Sequence, residues 1–167
     1  MTANPGLLFV TSHILPTSDI TAEQYDDFYN NEHLPDVLDS GLSGSQRVAL
    51  RYKNSNPEAA DPYLALYPTE STSSLWTGTG VSDILKGLQQ NSKAKTLNNI
   101  DVSTFAAFGP RLYEKIQTYE AYGHESDTVK DRGQTIVCVA MEPGDETDFE
   151  DWYRKQHLDV LGCAKVI

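Results

Sequence analysis

One short pattern occurs twice at a fixed distance, and it constrains the fold more than anything else in the chain. YDDFYNNEHL at Tyr25–Leu34 returns as FEDWYRKQHL at Phe149–Leu158, an offset of 124 residues. Asp27, Tyr29, His33 and Leu34 meet identical partners in Asp151, Tyr153, His157 and Leu158. Aromatic residues also match at Tyr25/Phe149 and Phe28/Trp152. Each copy follows a β-rich run, GLLFVTSHIL at Gly6–Leu15 and QTIVCVAM at Gln134–Met141. A strand followed by a marked helix, twice, is an internal repeat.

The first copy is the longer. Thr21 with Gln24 three residues on fits a capping box that opens a helix. Tyr25, Phe28, Tyr29 and Glu32 follow at i, i+3, i+4 and i+7, so the first three form an aromatic stripe. Pro35 lacks an N–H, so the helix is expected to kink or end near His33. Val48, Leu50 and Tyr52 alternate with Arg47, Ala49 and Arg51, the period of a half-exposed strand. Tyr63–Tyr67 reads as a third strand ended by Pro68, and Val81–Leu88 as a short second helix. A last strand region runs from Asp101 to about Tyr119, broken at Gly109-Pro110.

The order strand, helix, strand, strand, helix, strand is the ferredoxin-like βαββαβ order. The expected fold class is therefore α+β, one antiparallel sheet under two helices. The expected organisation is a ferredoxin-like module over 1–120, then a linker and partial second module over 121–167. That second part holds a strand at 134–141 and a helix at 146–161. The module's sheet keeps an apolar face that needs cover, so a homodimer is expected.

Charge narrows the partners. Thirteen basic and twenty-four acidic residues give a net charge of −11, with no Lys/Arg run. Nucleic acid and anionic membrane surfaces are poor partners for such a chain. The two cysteines, Cys138 and Cys163, have no zinc-finger spacing. The first fourteen residues carry no signal-like pattern, and the expected location is the cytoplasm. No metal-ligand, dinucleotide, P-loop or nucleophile-elbow motif is present, so neither metal nor cofactor is expected.

FYNNEHLPDVLDSG at Phe28–Gly41, with its weaker echo WYRKQHLDVLG at Trp152–Gly162, resembles the EthD-like proteins of the dimeric α+β barrel superfamily. The resemblance implies two ferredoxin-like modules packed sheet to sheet around a pocket. It also implies a cofactor-free enzyme, or a pathway accessory, acting on an aromatic or polyketide-like molecule. The family's helix histidine falls on His33, and on His157 in the second copy. His157 departs from the pattern because no proline follows its leucine.

On that basis His33 is the candidate general acid/base, since an imidazole titrates near neutral pH. The competing account is a structural histidine beside the Pro35 kink. Tyr25, Tyr29 and Tyr63 are candidate substrate contacts, although aromatic residues at helical spacing also build cores. Trp76, in a Ser/Thr/Gly-rich loop, and His13, on the first strand, are further candidate contacts. An inward-facing His13 would join His33. Tyr153 and His157 are the equivalents in the second repeat, and His124 falls in a polar linker. Dehydration, decarboxylation or cyclisation all fit such a site. The alternatives are a cofactor-free monooxygenase of anthrone or phenol type, and a non-catalytic small-molecule-binding accessory protein.

Overall fold

The computed structural model describes residues 5–40, 47–72, 96–97, 100–116, 136–139, 148–153 and 155. The chain divides into two units, Met1–Lys115 and Ile116–Ile167.

In the first unit, β1 (Gly6–Ile14) is the strand expected from the apolar run. The capping box then forms: Gln24 N–H donates to Thr21 Oγ1 at 3.2 Å, and Thr21 N–H to Gln24 Oε1 at 2.9 Å. It opens α1 (Ala22–Phe28). The helix does not end at Pro35. A π-helical turn covers Tyr29–His33, and α2 (Leu34–Asp39) continues from it. Leu34 N–H reaches back to the Tyr29 carbonyl, five residues away, so the ladder is already in a wide register when Pro35 arrives without a donor.

β2 (Leu50–Lys53) and β3 (Tyr63–Thr69) follow. β4 (Thr96–Leu97) and β5 (Ile100–Asp101) form a small separate ladder. A 3₁₀ turn at Val102–Thr104 leads into β6 (Ala106–Glu114). The main sheet has the order β2-β3-β1-β6, with every neighbouring pair antiparallel. That is an α+β arrangement compatible with the ferredoxin-like order. The expected second helix at Val81–Leu88 lies outside the described residues.

Two expected strand breaks do not occur. β6 runs through Gly109-Pro110 because, among the described strands, it is the outermost of the sheet, where a residue without an N–H is tolerated. β3 runs through Pro68 because β2 pairs with it only as far as Leu66. At Pro68 the flank toward β2 therefore has no ladder to interrupt.

Register sorts the sheet into two faces. Leu8, Val10 and Ser12 of β1 share a face with Tyr63, Ala65 and Tyr67 of β3. These residues, with Tyr25, Phe28, Tyr29 and Val37 of the helix, are buried, and all but Ser12 belong to one apolar cluster. Tyr25 and Phe28 are fully enclosed at 0% exposure. Burying one large apolar side chain stabilises the fold by roughly 1.5–3 kcal/mol. Leu7, Phe9, Thr11 and His13 point to the other face.

In the second unit, Phe149–Trp152 form α3. Lys155 bonds Asp151 one turn earlier at 2.8 Å. Residues 136–139, from the middle of the expected second-copy strand, belong to no strand, and Val137 and Val139 are 81% and 66% exposed. No helix among the described residues is long and apolar enough to cross a membrane.

Candidate functional site

The π turn sets where His33 goes. Its imidazole is half-buried and lies among three aromatic rings. Tyr29 meets it edge-on at 4.9 Å between centroids, Phe28 lies at 5.8 Å, and Phe108 of β6 stacks at 5.8 Å and 29°. Phe108 pairs with Ser12 in register, so this cluster sits on the helix side of the sheet. Short π-helical segments occur often at functional positions. Asp36, three residues after His33, has one buried carboxylate oxygen with no hydrogen-bond partner.

The tyrosines lie deeper. Tyr25 donates to Ser12 Oγ at 2.8 Å. The Tyr29 and Tyr67 hydroxyls are 3.3 Å apart. Tyr25 and Tyr29 are 0% and 1% exposed, and their rings pack between helix and sheet. Burial pushes the Tyr25 and Tyr29 phenols well above the ordinary range, and Tyr67 up to about 12. Tyr63 is also buried on the helix side, 4.9 Å from Tyr25 between centroids, and its pKa is raised for the same reason.

His13 does not join His33. Strand alternation places it on the face turned away from α1, opposite Ala107 in register. There its Nδ1 is 2.6 Å from Asp61 Oδ1. Trp76 and His157 lie outside the described residues, as do His124 and Cys163. Tyr153 is described; its ring is 5.8 Å from Phe149 and 6.2 Å from Trp152. Among the described residues no group of three or more His, Cys, Asp or Glu is placed to hold a metal ion.

Two partners escaped the sequence reading. Arg51 was expected only as the polar half of an alternating strand. It turns toward the helix, its guanidinium 4.3 Å from the Tyr29 ring centroid, and bonds Asp26 at 2.8 Å and Asn30 at 2.6 Å. The alternation Leu50, Arg51, Tyr52 is the signal that would have raised the question of its face. Asp61, in a polar turn, carried no signal at all.

No family model matches the chain, and no solved structure matches it. A curated protein of Stachybotrys chlorohalonatus, named Core atranone cluster (CAC) protein 1, is 43% identical over 77 residues. That stretch covers 46% of this chain and 31% of the relative, so the chain spans less than a third of that protein's length in the match.

Proposed function

We propose that the protein works in secondary metabolism and moves a proton on an aromatic or polyketide-like small molecule, with His33 as the acid/base group. The observation that carries this reading is the half-buried imidazole stacked on Phe108 and held edge-on by Tyr29, at a π turn. Such a cage orients the imidazole, a side chain suited to acid/base work, and the half-buried Phe108 ring offers apolar surface beside it. The similarity to a protein named for the core atranone cluster supports the metabolic setting. Dehydration, decarboxylation and cyclisation each need positioning and a proton relay, and no redox cofactor.

The test is turnover of a panel of anthrones and linear polyketide-type aromatics, followed by product analysis and oxygen uptake. A lyase or cyclase changes the substrate without consuming oxygen; a monooxygenase consumes it. His33→Ala is expected to lower turnover by about a hundredfold to ten-thousandfold, the usual weight of a positioned acid/base. Unchanged turnover in a folded His33→Ala variant removes His33 from the chemistry. Ligand binding without turnover in the native protein makes it an accessory. The reading includes a homodimer, and a monomer in sedimentation equilibrium at micromolar concentration removes that part.

A further inference from the structure

A histidine–carboxylate pair lies on the opposite face of the sheet, and the His33 reading does not require it. β1 sends Ser12 to the helix side, where Tyr25 bonds it, so His13 and Thr11 emerge on the other side. The Ser12↔Tyr63 pairing brings the turn before β3 alongside His13. Asp61, from that turn, is held at both oxygens: Oδ1 is 2.6 Å from His13 Nδ1, and Oδ2 accepts from Thr11 Oγ1 at 3.4 Å. Gly109 makes this possible, because a Cβ there would stand 2.8 Å from Thr11 Oγ1.

A carboxylate on Nδ1 selects the tautomer with hydrogen on that nitrogen and leaves a lone pair on Nε2. Nε2 has no partner among the described residues. The pair is reachable, with side chains 34% and 45% exposed for His13 and Asp61. Across from His13 and Thr11, β6 presents only Ala107 and Gly109. On the other flank Thr11 pairs with Leu64, an apolar neighbour. With a chain charge of −11, an anionic ligand is disfavoured and a neutral hydroxyl compound is not.

We propose that His13, oriented by Asp61, is a proton acceptor for a neutral phenol or enol lying on this face. The substrate O–H bond breaks and its electron pair stays on oxygen. The proton forms an Nε2–H bond, and the Asp61 carboxylate balances the imidazolium charge. Asp61 is a positioning residue; His13 touches the ligand.

The experiment uses the full chain, selectively labelled histidine and naphthol as the probe. Nitrogen NMR reads the His13 tautomer, and a naphthol titration reads ring shifts at His13 and His33 separately. The expected result is an Nδ1–H tautomer at His13, a saturable shift of its ring, and affinity lowered about tenfold or more in Asp61→Ala, as loss of a charge-assisted partner implies. His33→Ala is expected to leave the His13 shift intact. If Asp61→Ala fails to fold, His13→Gln takes its place, with loss of naphthol affinity as the reading. An Nε2–H tautomer overturns the proposal. So does naphthol that shifts only His33, that shifts neither ring, or that binds equally well to the Asp61 or His13 variant.

Discussion

Arg51 lays its guanidinium over the Tyr29 ring, 4.3 Å from the centroid, and so places a cation between the sheet and the π turn that joins α1 to α2. The charge is tolerated there because Asp26 and Asn30, one turn apart on the same helix, take its N–H groups at 2.8 and 2.6 Å. The guanidinium therefore ties the first turns of the helix to β2 as well as capping the aromatic stripe.

Replacing Arg51 with Lys keeps the charge but loses the planar fork and the flat stacking surface. The expected loss is about 1–2 kcal/mol of unfolding free energy. Arg51→Met, which also leaves Asp26 without its cation, is expected to cost about 2–3 kcal/mol, from the usual weights of charge-assisted and cation–π contacts. Urea denaturation followed by far-ultraviolet circular dichroism measures both. Equal stability of the native protein and Arg51→Met would reduce this network to surface decoration.

How much of this was legible differs from element to element. β1 and the Thr21/Gln24 capping box rest on local signals and stand where the sequence places them, and β3 starts at Tyr63 as expected but runs on through Pro68 to Thr69. Gly109-Pro110 reads as a strand break, and it is none, because edge position is a property of the assembled sheet. Alternation in β2 separates Arg51 from Leu50 and Tyr52 but cannot say which set meets the helix. The polar set does, against the simple rule, since Tyr29 and Asp26 come from elsewhere in the chain to receive it. His33 near Tyr29 follows from helical spacing; Phe108 beside them does not. The His13–Asp61 pair spans 48 residues and was invisible for the same reason.

Gly6 and Gly109 are predicted to respond differently to alanine. A Cβ at Gly6 would stand 2.3 Å from the Tyr113 carbonyl oxygen and 2.2 Å from Thr72 Cγ2. The backbone contact can be relieved only by parting β1 from β6, so Gly6→Ala is expected to destabilise by about 1–3 kcal/mol. At Gly109 the near atom is the Thr11 hydroxyl, which can rotate away. Gly109→Ala is expected to cost less than about 1 kcal/mol, within the range of one lost hydrogen bond, and to detach Thr11 from Asp61. Paired denaturation curves rank the two; a larger loss at Gly109 contradicts the argument.

Asp36 presents the opposite case, a residue the fold would be better without. One of its carboxylate oxygens is buried with no hydrogen-bond partner, and such a group carries an uncompensated desolvation cost. Asp36→Ala is expected to leave stability unchanged or raise it by roughly 0.5–1 kcal/mol. Thermal melting in parallel with the turnover assay gives the informative comparison. A more stable but slower variant assigns the carboxylate to the His33 site, the familiar exchange of stability for function. A less stable one shows that Asp36 holds α2 in place.

The buried phenols make the fold sensitive to alkali, and the sign follows from their environment. Desolvation raises Tyr25 and Tyr29 far above their ordinary value, and moves Tyr67 from 10.0 to about 12. Burial disfavours phenolate, so near pH 10 the folded chain keeps protons that the unfolded chain begins to release. The unfolded state then binds fewer protons, and stability must fall as pH rises. The contribution is complete below the unfolded value of 10 and is lost progressively up to the folded value. For Tyr67 alone that is on the order of 2–3 kcal/mol. Ultraviolet titration of the native protein is expected to show exposed tyrosines ionising first, followed by a cooperative step that coincides with loss of helical circular dichroism. Tyr67→Phe removes one buried ionisation, so its alkaline unfolding is expected at higher pH, provided Tyr29 keeps its packing. If all tyrosines titrate together near pH 10 with the helix signal intact, the phenols of Tyr25, Tyr29 and Tyr67 are not enclosed as the structure places them.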